Sequence, residues 1–245
     1  MVDESPTLDL LERLAAAPDR MTFDALVRQI GLPEGILRGR LERLVARGWV
    51  DADADGRSFA IGVGALRPGS AYLSGDRAAR VSGPILSRVR DQLDESVRLV
   101  RLDGASIVCL ASRESSHDLA GPMIGRRYPT LTAASGRAIV AWRPRAEIDA
   151  MLDEGIQAHT IDSAVDRGEI YATLAECRER GWAYERGELV PGVGCIAAAV
   201  LVRGLPVTDA ISVAVPLSRL THDHAEDVAE CVQRATRDLA AALVT

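Results

Sequence analysis

The stretch Arg180-Gly-Trp-Ala-Tyr-Glu-Arg-Gly-Glu-Leu-Val-Pro-Gly-Val-Gly-Cys-Ile-Ala-Ala-Ala-Val200 decides how the second half of this 245-residue chain folds. It begins at the end of a charged, helix-like run and ends in an apolar pattern that is typical of a buried strand. Pro191 and the glycines beside it require an irregular loop between the two ends. We therefore predict two strands joined by a loop, with Glu185 before the loop and Cys195 after it. The strand-forming residues are Trp182, Tyr184, Ile196 and Val200.

Composition limits the classes of protein that this chain can represent. Hydrophobic residues make up 47% of it and aromatic residues 4%, so the core must consist mainly of aliphatic side chains. The net charge of -6 argues against a protein that coats nucleic acid, but it allows a local basic element. All basic residues are arginine, the better partner for phosphates and guanine edges.

The same composition predicts a cytoplasmic protein without a membrane partner. No apolar run approaches the roughly 18 residues that a membrane span needs. The first residues are acidic and polar, unlike a secretion signal. The four cysteines are scattered without a CxxC spacing, which indicates reduced thiols and neither a disulfide framework nor a zinc site. No glycine-rich phosphate loop occurs either, so we expect no metal and no cofactor. The cysteines are Cys109, Cys177, Cys195 and Cys231.

The first 66 residues predict three short helices followed by a β-hairpin. Thr22 is placed to cap the second helix, and Gly31 is placed to end it in a left-handed conformation. Pro33 lies near the start of the third helix, whose apolar stripe comprises Leu37, Leu41, Leu44 and Val45. An Asp-Gly turn then joins two short strands. This order of elements predicts a winged helix-turn-helix domain over residues 1–66.

In such a domain the third helix enters the major groove of DNA. Between residues 33 and 47 the chain carries four arginines against two glutamates, a local excess of positive charge. The same arginines would also suit an ordinary solvated helix face. The candidate DNA-contacting residues are Thr22, Glu34, Gly35, Arg38, Gly39, Arg40, Arg43 and, in the hairpin, Arg57.

The remaining chain predicts a linker helix and a larger α/β domain. We assign residues 67–80 to the linker helix and 81–245 to the second domain. The run Arg67–Ser70 has the composition of a connecting loop, and Gly75, Gly83 and Pro84 are expected to interrupt the helices around them. A hairpin is expected around Asp103-Gly104, and a later helix is expected to begin at an Asp162-Ser163 cap.

Three segments together resemble the isocitrate-lyase-regulator (IclR) family of bacterial transcription factors. The stretch quoted above is similar to the family pattern RGYAxDxEExxPGVxCIAAPV. The segments 125–138 and 216–221 resemble the family's Gly-Lys-Ala and Pro-x-x-Arg-Leu-Thr regions. The resemblance implies a GAF-like α/β domain with an antiparallel sheet, which binds a small-molecule effector. It also implies double-stranded operator DNA as a partner, and a homodimer or homotetramer.

The resemblance also implies which residues line the effector pocket. Glu185 stands where the family commonly has an aspartate, and Leu131 stands where it commonly has a histidine. Each pocket residue has a simpler interpretation, because a cysteine is often plain core and a serine can satisfy a neighbouring backbone group. The implied effector-binding residues are Met123, Ala134, Ser135, Gly136, Glu185, Cys195 and Ser212.

Two other classes remain open from the residues alone. Cys195 paired with a histidine would be a nucleophile of a cysteine-dependent enzyme, although none of the four histidines lies in a motif. The histidines are His117, His159, His222 and His224. A sensor or adaptor with a degenerate DNA-binding helix is the other class. We expect a transcriptional regulator controlled by a small organic acid or aromatic compound, and no enzymatic activity.

Overall fold

The computed structural model describes residues 5–116 and 123–244 of the chain. The chain divides into two compact units, Met1–Gly75 and Asp76–Thr245. This division falls inside the predicted linker helix, and the three-part assignment of 1–66, 67–80 and 81–245 remains a prediction.

The first unit is a winged helix-turn-helix, as the sequence predicts. Its helices and strands occur in the order α1 (Ser5–Ala16), β1 (Met21–Thr22), α2 (Phe23–Ile30), α3 (Glu34–Ala46), β2 (Val50–Ala52), β3 (Ser58–Ile61), a 3-10 turn (Val63–Ala65) and α4 (Leu66–Gly75). The three strands form an antiparallel sheet in the order β1-β3-β2. One core joins the helices to this sheet, comprising Leu10, Leu14, Phe23, Leu26, Leu37, Leu41, Val50 and Phe59.

Local sequence rules account for the boundaries of α2. The Thr22 hydroxyl accepts a hydrogen bond of 3.3 Å from the backbone N–H of Ala25, so Thr22 caps the helix as predicted. Gly31 has a φ of 70°, and its N–H donates to the carbonyl of Val27. A side chain at that φ would be strained, which is why glycine ends the helix.

Three local expectations in the first half of the chain are wrong. Arg67–Ser70, expected as a connecting loop, lies in α4, where the missing N–H of Pro68 in the first turn has no helical partner to lose. Gly83 and Pro84 lie inside the helix that follows α4 and do not interrupt it. Val45, expected in the core stripe of α3, is exposed. The break expected at Gly75 is confirmed, because α4 ends there and the carboxylate of Asp76 caps the next helix by accepting a 2.8 Å hydrogen bond from the N–H of Ala79.

The second unit is an α/β fold around a six-stranded antiparallel sheet. Its elements are α5 (Arg77–Leu93), β4 (Ser96–Asp103), β5 (Ser106–Arg113), β6 (Arg127–Pro129), α6 (Ala134–Val140), α7 (Arg145–Asp153), α8 (Arg167–Arg180), β7 (Ala183–Arg186), β8 (Val193–Ala199), β9 (Asp209–Pro216) and α9 (His222–Val244). The strand order is β6-β5-β4-β9-β8-β7, and every neighbouring pair is antiparallel. The predicted hairpin around Asp103-Gly104 is present, and so are the two paired strands on either side of residues 187–192, which we call the signature loop.

The two faces of this sheet pack against different helices. Ala197 of β8 and Ala210 of β9 belong to the core that includes α6. Ile196 and Ile211 are fully buried and alternate with them along the strands. Because successive strand residues point to opposite faces, these isoleucines face the other layer, which α5 and α9 cover. The α6 side of the sheet carries the candidate ligand site, and we call it the cup face.

Helix α8 begins later than the sequence predicts. The Asp162-Ser163 cap is wrong, because α8 starts at Arg167 and the carboxylate of Asp166 accepts a 3.0 Å hydrogen bond from the N–H of Glu169. Both positions satisfy the local capping rule, and only the packing of the helix chooses between them. In the described part of the chain, none of the helices combines the length and the apolar character that a membrane span requires.

Candidate functional site

Helix α3 presents one side to the core of the first unit and the other to solvent. Leu37 and Leu41 are buried against α1 and α2, and the 3.6-residue period places Gly35, Gly39 and Glu42 on the opposite side. Most of the other predicted contacts are also solvent-accessible. Glu34, Gly35, Arg38, Arg43 and the hairpin residue Arg57 are all exposed.

Two predicted DNA-contacting residues already have structural roles. Arg40 is half-buried and donates to the hydroxyl of Thr7 in α1, so its guanidinium lies on the packing side of α3. The hydroxyl of Thr22 caps α2, as described above. By contrast, the guanidinium of Arg38 lies over the ring of Phe23, 4.3 Å from its centre, and is exposed. This contact orients Arg38 at the edge of the solvent-facing side.

Strand register brings three of the predicted effector-binding residues together on the cup face. Glu185 in β7 lies directly opposite Cys195 in β8. Cys195 pairs with Ala214 in β9, and Ser212 is two residues before Ala214 on the same face. The hydroxyl of Ser212 acts on the thiol of Cys195 and lowers its pKa. Three strands therefore present a carboxyl group, a thiol and a hydroxyl side by side.

The other predicted pocket residues lie along α6 and its approach. Met123 and Ala134 share one hydrophobic cluster with Leu131 and Cys195. Ser135 is buried, and Gly136 packs so closely that an added Cβ would overlap the carbonyl oxygen of Thr130. All seven predicted effector-binding residues therefore lie on or beside the cup face. Ile124, the neighbour of Met123 in the sequence, is 53% exposed.

A buried ion pair that the sequence did not predict holds α6 to the signature loop. Arg137 has only 1% of its surface exposed, and its Nη1 donates to Oε1 of Glu188 over 2.8 Å. Its Nη2 donates to the other carboxylate oxygen, and its Nε donates to the carbonyl of Leu131 over 2.7 Å. Glu188 Oε2 also accepts a 3.1 Å hydrogen bond from the N–H of Ala164. The one charged residue in the apolar helix sequence of α6 was the available signal.

The carboxyl group of Glu185 is protonated over part of the neutral range. Only 3% of Glu185 is exposed. Burial raises its pKa to about 7, and the nearby charge of Glu188 adds to the rise. The N–H of Glu188 donates to Glu185 over 2.8 Å, and this bond, with the charge of Arg137, limits the rise. At neutral pH the group can therefore donate or accept a hydrogen bond.

The thiol of Cys195 lacks the activation that a catalytic cysteine requires. Burial, and then the charge of Glu185, raise the pKa of Cys195 to about 12, while Arg98 and Ser212 lower it by less. The nucleophilic form of cysteine is the thiolate, which is scarce at neutral pH for such a group. His117, one of the histidines considered as a partner, lies outside the described residues. The electrostatics of Cys195 thus argue against a role as a catalytic nucleophile.

Arg98 is a residue of the cup face that the sequence analysis missed. It lies in β4, opposite Ser212 in β9. An arginine within the otherwise apolar run Val97-Arg98-Leu99-Val100 was a signal for it. The two units together thus define a winged helix-turn-helix protein with an α/β unit that carries polar groups on one sheet face.

Comparison with known proteins gives the family. The model of the IclR helix-turn-helix domain matches residues 7–54, and the model described as "Bacterial transcriptional regulator IclR C-terminal" matches residues 70–241. The chain therefore belongs to the IclR family of bacterial transcriptional regulators.

Individual relatives agree with this assignment. The chain is 32% identical over 186 residues to the HTH-type transcriptional repressor AllR of Klebsiella pneumoniae, covering 75% of this chain and 68% of the relative. An IclR-type regulator from Alicyclobacillus acidocaldarius has a similar structure, with a TM-score of 0.84, 22% identity and coverage of 97% and 98%. An IclR homolog from Microbacterium hydrocarbonoxydans, solved with 4-hydroxybenzoate, has a TM-score of 0.80 at 19% identity, with 98% of each chain covered. The two structural likenesses show the fold.

Proposed function

We propose that this protein is a cytoplasmic transcriptional repressor that binds operator DNA through α3 and is controlled by a small organic acid bound at the cup face. The observation that carries the proposal is the solvent-exposed side of α3 within a helix-turn-helix of a regulator family. The repressor names of the relatives support the direction of regulation.

The exposed arginines of α3 support contact with DNA. Arg38 and Arg43 flank the side formed by Gly35, Gly39 and Glu42, and both are exposed. Arginines in these positions can reach phosphates or guanine edges on either side of a helix that lies in the major groove. One winged domain buries little surface on DNA, so a homodimer or homotetramer reading paired half-sites supplies the affinity.

The polar groups of the cup face support control by a small ligand. Such sites combine an apolar lining with a few convergent polar groups. Here Met123 and Ala134 provide apolar surface, while Glu185, Cys195 and Ser212 provide hydrogen-bonding groups. The 4-hydroxybenzoate bound by the Microbacterium relative is a small organic acid, and it supports this chemical class for the present chain.

The experiment is a binding measurement on DNA fragments selected by the purified protein from genomic DNA. In the variant Arg38→Ala/Arg43→Ala we expect weaker binding, because fewer phosphates are neutralised. The slope of the salt dependence should fall by about one unit for each phosphate that the variant no longer reaches. The control variant Arg203→Ala/Arg237→Ala removes two exposed arginines of the second unit and the same charge.

The outcomes separate the candidate functions. Equal affinity and salt slope in the α3 variant and the control would contradict the assignment of α3 as the DNA-contacting helix. A folded wild-type protein that selects no DNA would support the sensor or adaptor function instead. Both measurements are made without any effector, so they do not depend on the ligand-binding half of the proposal.

A further inference from the structure

Arg98 is a cation on the cup face with an unsatisfied donor. Its residue pairs in the sheet are Ser212 in β9 and Ser112 in β5, so its side chain projects from the middle strands. Arg98 is half-buried, and its Nε atom is fully shielded from solvent. Among residues 5–116 and 123–244, that Nε has no hydrogen-bond partner. In Arg137, by contrast, all three guanidinium nitrogens donate hydrogen bonds.

The electrostatics place Arg98 next to the candidate ligand groups. Its charge lowers the pKa of the Cys195 thiol in β8 and also that of the Cys109 thiol in β5. The strand order agrees, because β4 with Arg98 lies between β5, which carries Cys109, and β9, which carries Ser212 and is followed by β8 with Cys195. Glu114 is the charged group that raises the pKa of Cys109. One of its oxygens accepts a hydrogen bond from Ser112, and the other has no hydrogen-bond partner among the described residues.

A shielded guanidinium nitrogen without a partner is costly. Burying a polar group without a hydrogen bond reduces stability, and burying an unpaired charge reduces it further. Such a group in a folded protein needs an explanation, and a ligand that provides the missing contact is one. A guanidinium matches a carboxylate in shape and charge, because two parallel N–H groups can donate to its two oxygens.

We propose that Arg98 anchors the effector by pairing its guanidinium with a carboxylate group of a small organic acid. The inference rests on the proposed role of the cup face as the effector site. The carboxylate lies over the centre of the sheet, where the hydroxyl of Ser212 provides a second donor. The body of the ligand extends toward Met123 and Leu131, the apolar part of the same cluster.

The first test measures the ligand-free stability of Arg98→Gln by urea denaturation. An arginine whose partner is a ligand contributes little to the stability of the ligand-free protein. We therefore expect the urea midpoint of the variant to equal or exceed that of the wild type. A clear fall in the urea midpoint would show that Arg98 stabilises the ligand-free fold, and it would overturn the proposal. The control is Arg127→Gln, which removes an exposed arginine that donates to Asp103 over 2.7 Å in the same sheet.

The second test measures ligand binding by calorimetry without DNA. The probes are acetate, benzoate and 4-hydroxybenzoate, each paired with its neutral amide. We expect at least one carboxylate to bind more tightly than its amide, and Arg98→Gln to weaken that binding about tenfold to a hundredfold, the range for losing a charged hydrogen-bond partner. Arg98→Lys keeps the charge but loses the planar pair of donors, and we expect it to retain part of the affinity.

Two results would overturn the proposal. One is equal binding of every carboxylate and its amide by the wild type. The other is a carboxylate preference that survives in Arg98→Gln. Neither test uses DNA. A negative result for Arg98 therefore says nothing about DNA binding by α3, and a protein that binds no DNA can still be tested for carboxylate binding through Arg98.

Discussion

Helices α3 and α6 both contain glycine, and they use it in opposite ways. In α3, an added Cβ on Gly35 would meet no atom within 4 Å, and one on Gly39 would meet only Nη1 of Arg43 at 3.8 Å. In α6, an added Cβ on Gly136 would overlap the backbone of Thr130. Glycine leaves open space on the first helix and permits close packing at the second.

The difference agrees with the contacts proposed for each region, DNA for α3 and a small ligand beside α6. A surface that meets DNA must stay accessible, so most of its side chains cannot be buried in the protein core. A small-ligand site is formed inside the protein, where buried polar groups must have partners or lose stability. The partners of Arg137, Glu185 and Glu188 described above all come from within the second unit. Substitutions should therefore cost stability at α6 and cost little at α3.

The largest expected effect is that of Arg137→Met. This change leaves the Glu188 carboxylate unpaired next to the buried Glu185. Removing one partner of a buried ion pair costs about 3–5 kcal/mol. We expect a loss of that size in the free energy of unfolding, measured with urea.

The control for this prediction is Arg143→Met. Arg143 pairs with Glu147 over 2.6 Å, with 19% and 40% of the two side chains exposed, so this pair is more accessible to solvent than the Arg137–Glu188 pair. Exposed pairs contribute at most about 1 kcal/mol, and we expect a loss closer to that value. The double variant Arg137→Met/Glu188→Leu should recover much of the lost stability, since it removes both charges. Equal losses for Arg137→Met and Arg143→Met would show that the buried pair has no special role.

The second prediction concerns Glu185→Gln and pH. The pKa of Glu185 rises from its usual 4.5 to about 7 on folding. The folded protein therefore binds this proton more tightly than the unfolded chain does. The stability contributed by the protonated group is fully present below pH 4.5 and is lost as the pH rises through 7. A shift of this size corresponds to about 3 kcal/mol.

Glutamine resembles the protonated carboxyl group but does not ionise. We expect Glu185→Gln to match the wild type at about pH 4.5 and to be more stable by up to about 3 kcal/mol at about pH 8.5. Urea denaturation at both pH values provides the measurement. Glu226→Gln, at an exposed position of α9, is the control. A stability difference that does not change with pH would show that Glu185 is ionised in the folded protein.

The sequence predicted the features that depend on a few neighbouring residues. The Thr22 cap, the left-handed Gly31 and the hairpin at Asp103-Gly104 all follow from such rules, and all are present. The signature stretch also placed Glu185 and Cys195 on paired strands. The family resemblance supplied the other candidate pocket residues, including Ser212.

The features that the sequence did not predict depend on distant partners. Arg137 and Glu188 are 51 residues apart, and Arg40 and Thr7 are 33 apart. No local rule connects them. Pro84 was expected to interrupt a helix, but the buried face of α5 outweighs the missing hydrogen bond. Arg98 was missed because its role depends on which face of the sheet it occupies.

The third prediction compares the two glycine helices directly through Gly136→Ala. The new methyl group must displace the backbone at Thr130 or shift α6. Overpacking of this kind costs about 1–3 kcal/mol, more than the gain from better helix propensity. We expect a lower midpoint in urea, together with weaker carboxylate binding, since α6 borders the cup face. An unchanged midpoint would mean that α6 tolerates movement, and that the close packing does not fix the site.

The smallest expected effect on stability is that of Gly39→Ala, and it has the opposite sign. The methyl group would extend into solvent, and alanine favours a helix over glycine by about 1 kcal/mol. We expect the variant to be more stable by up to that amount.

The effect on DNA affinity should be unfavourable. If Gly39 faces the groove in the complex, the same methyl group obstructs close approach, and the affinity for selected DNA should fall roughly tenfold, or about 1.4 kcal/mol. Gly69→Ala is the matched control, because Gly69 is an exposed glycine of α4 with open space around it. It should gain similar stability without loss of DNA affinity. Gly39→Ala with undiminished affinity would show that another side of α3 meets the DNA, and it would leave Arg38 and Arg43 without their proposed positions at the groove.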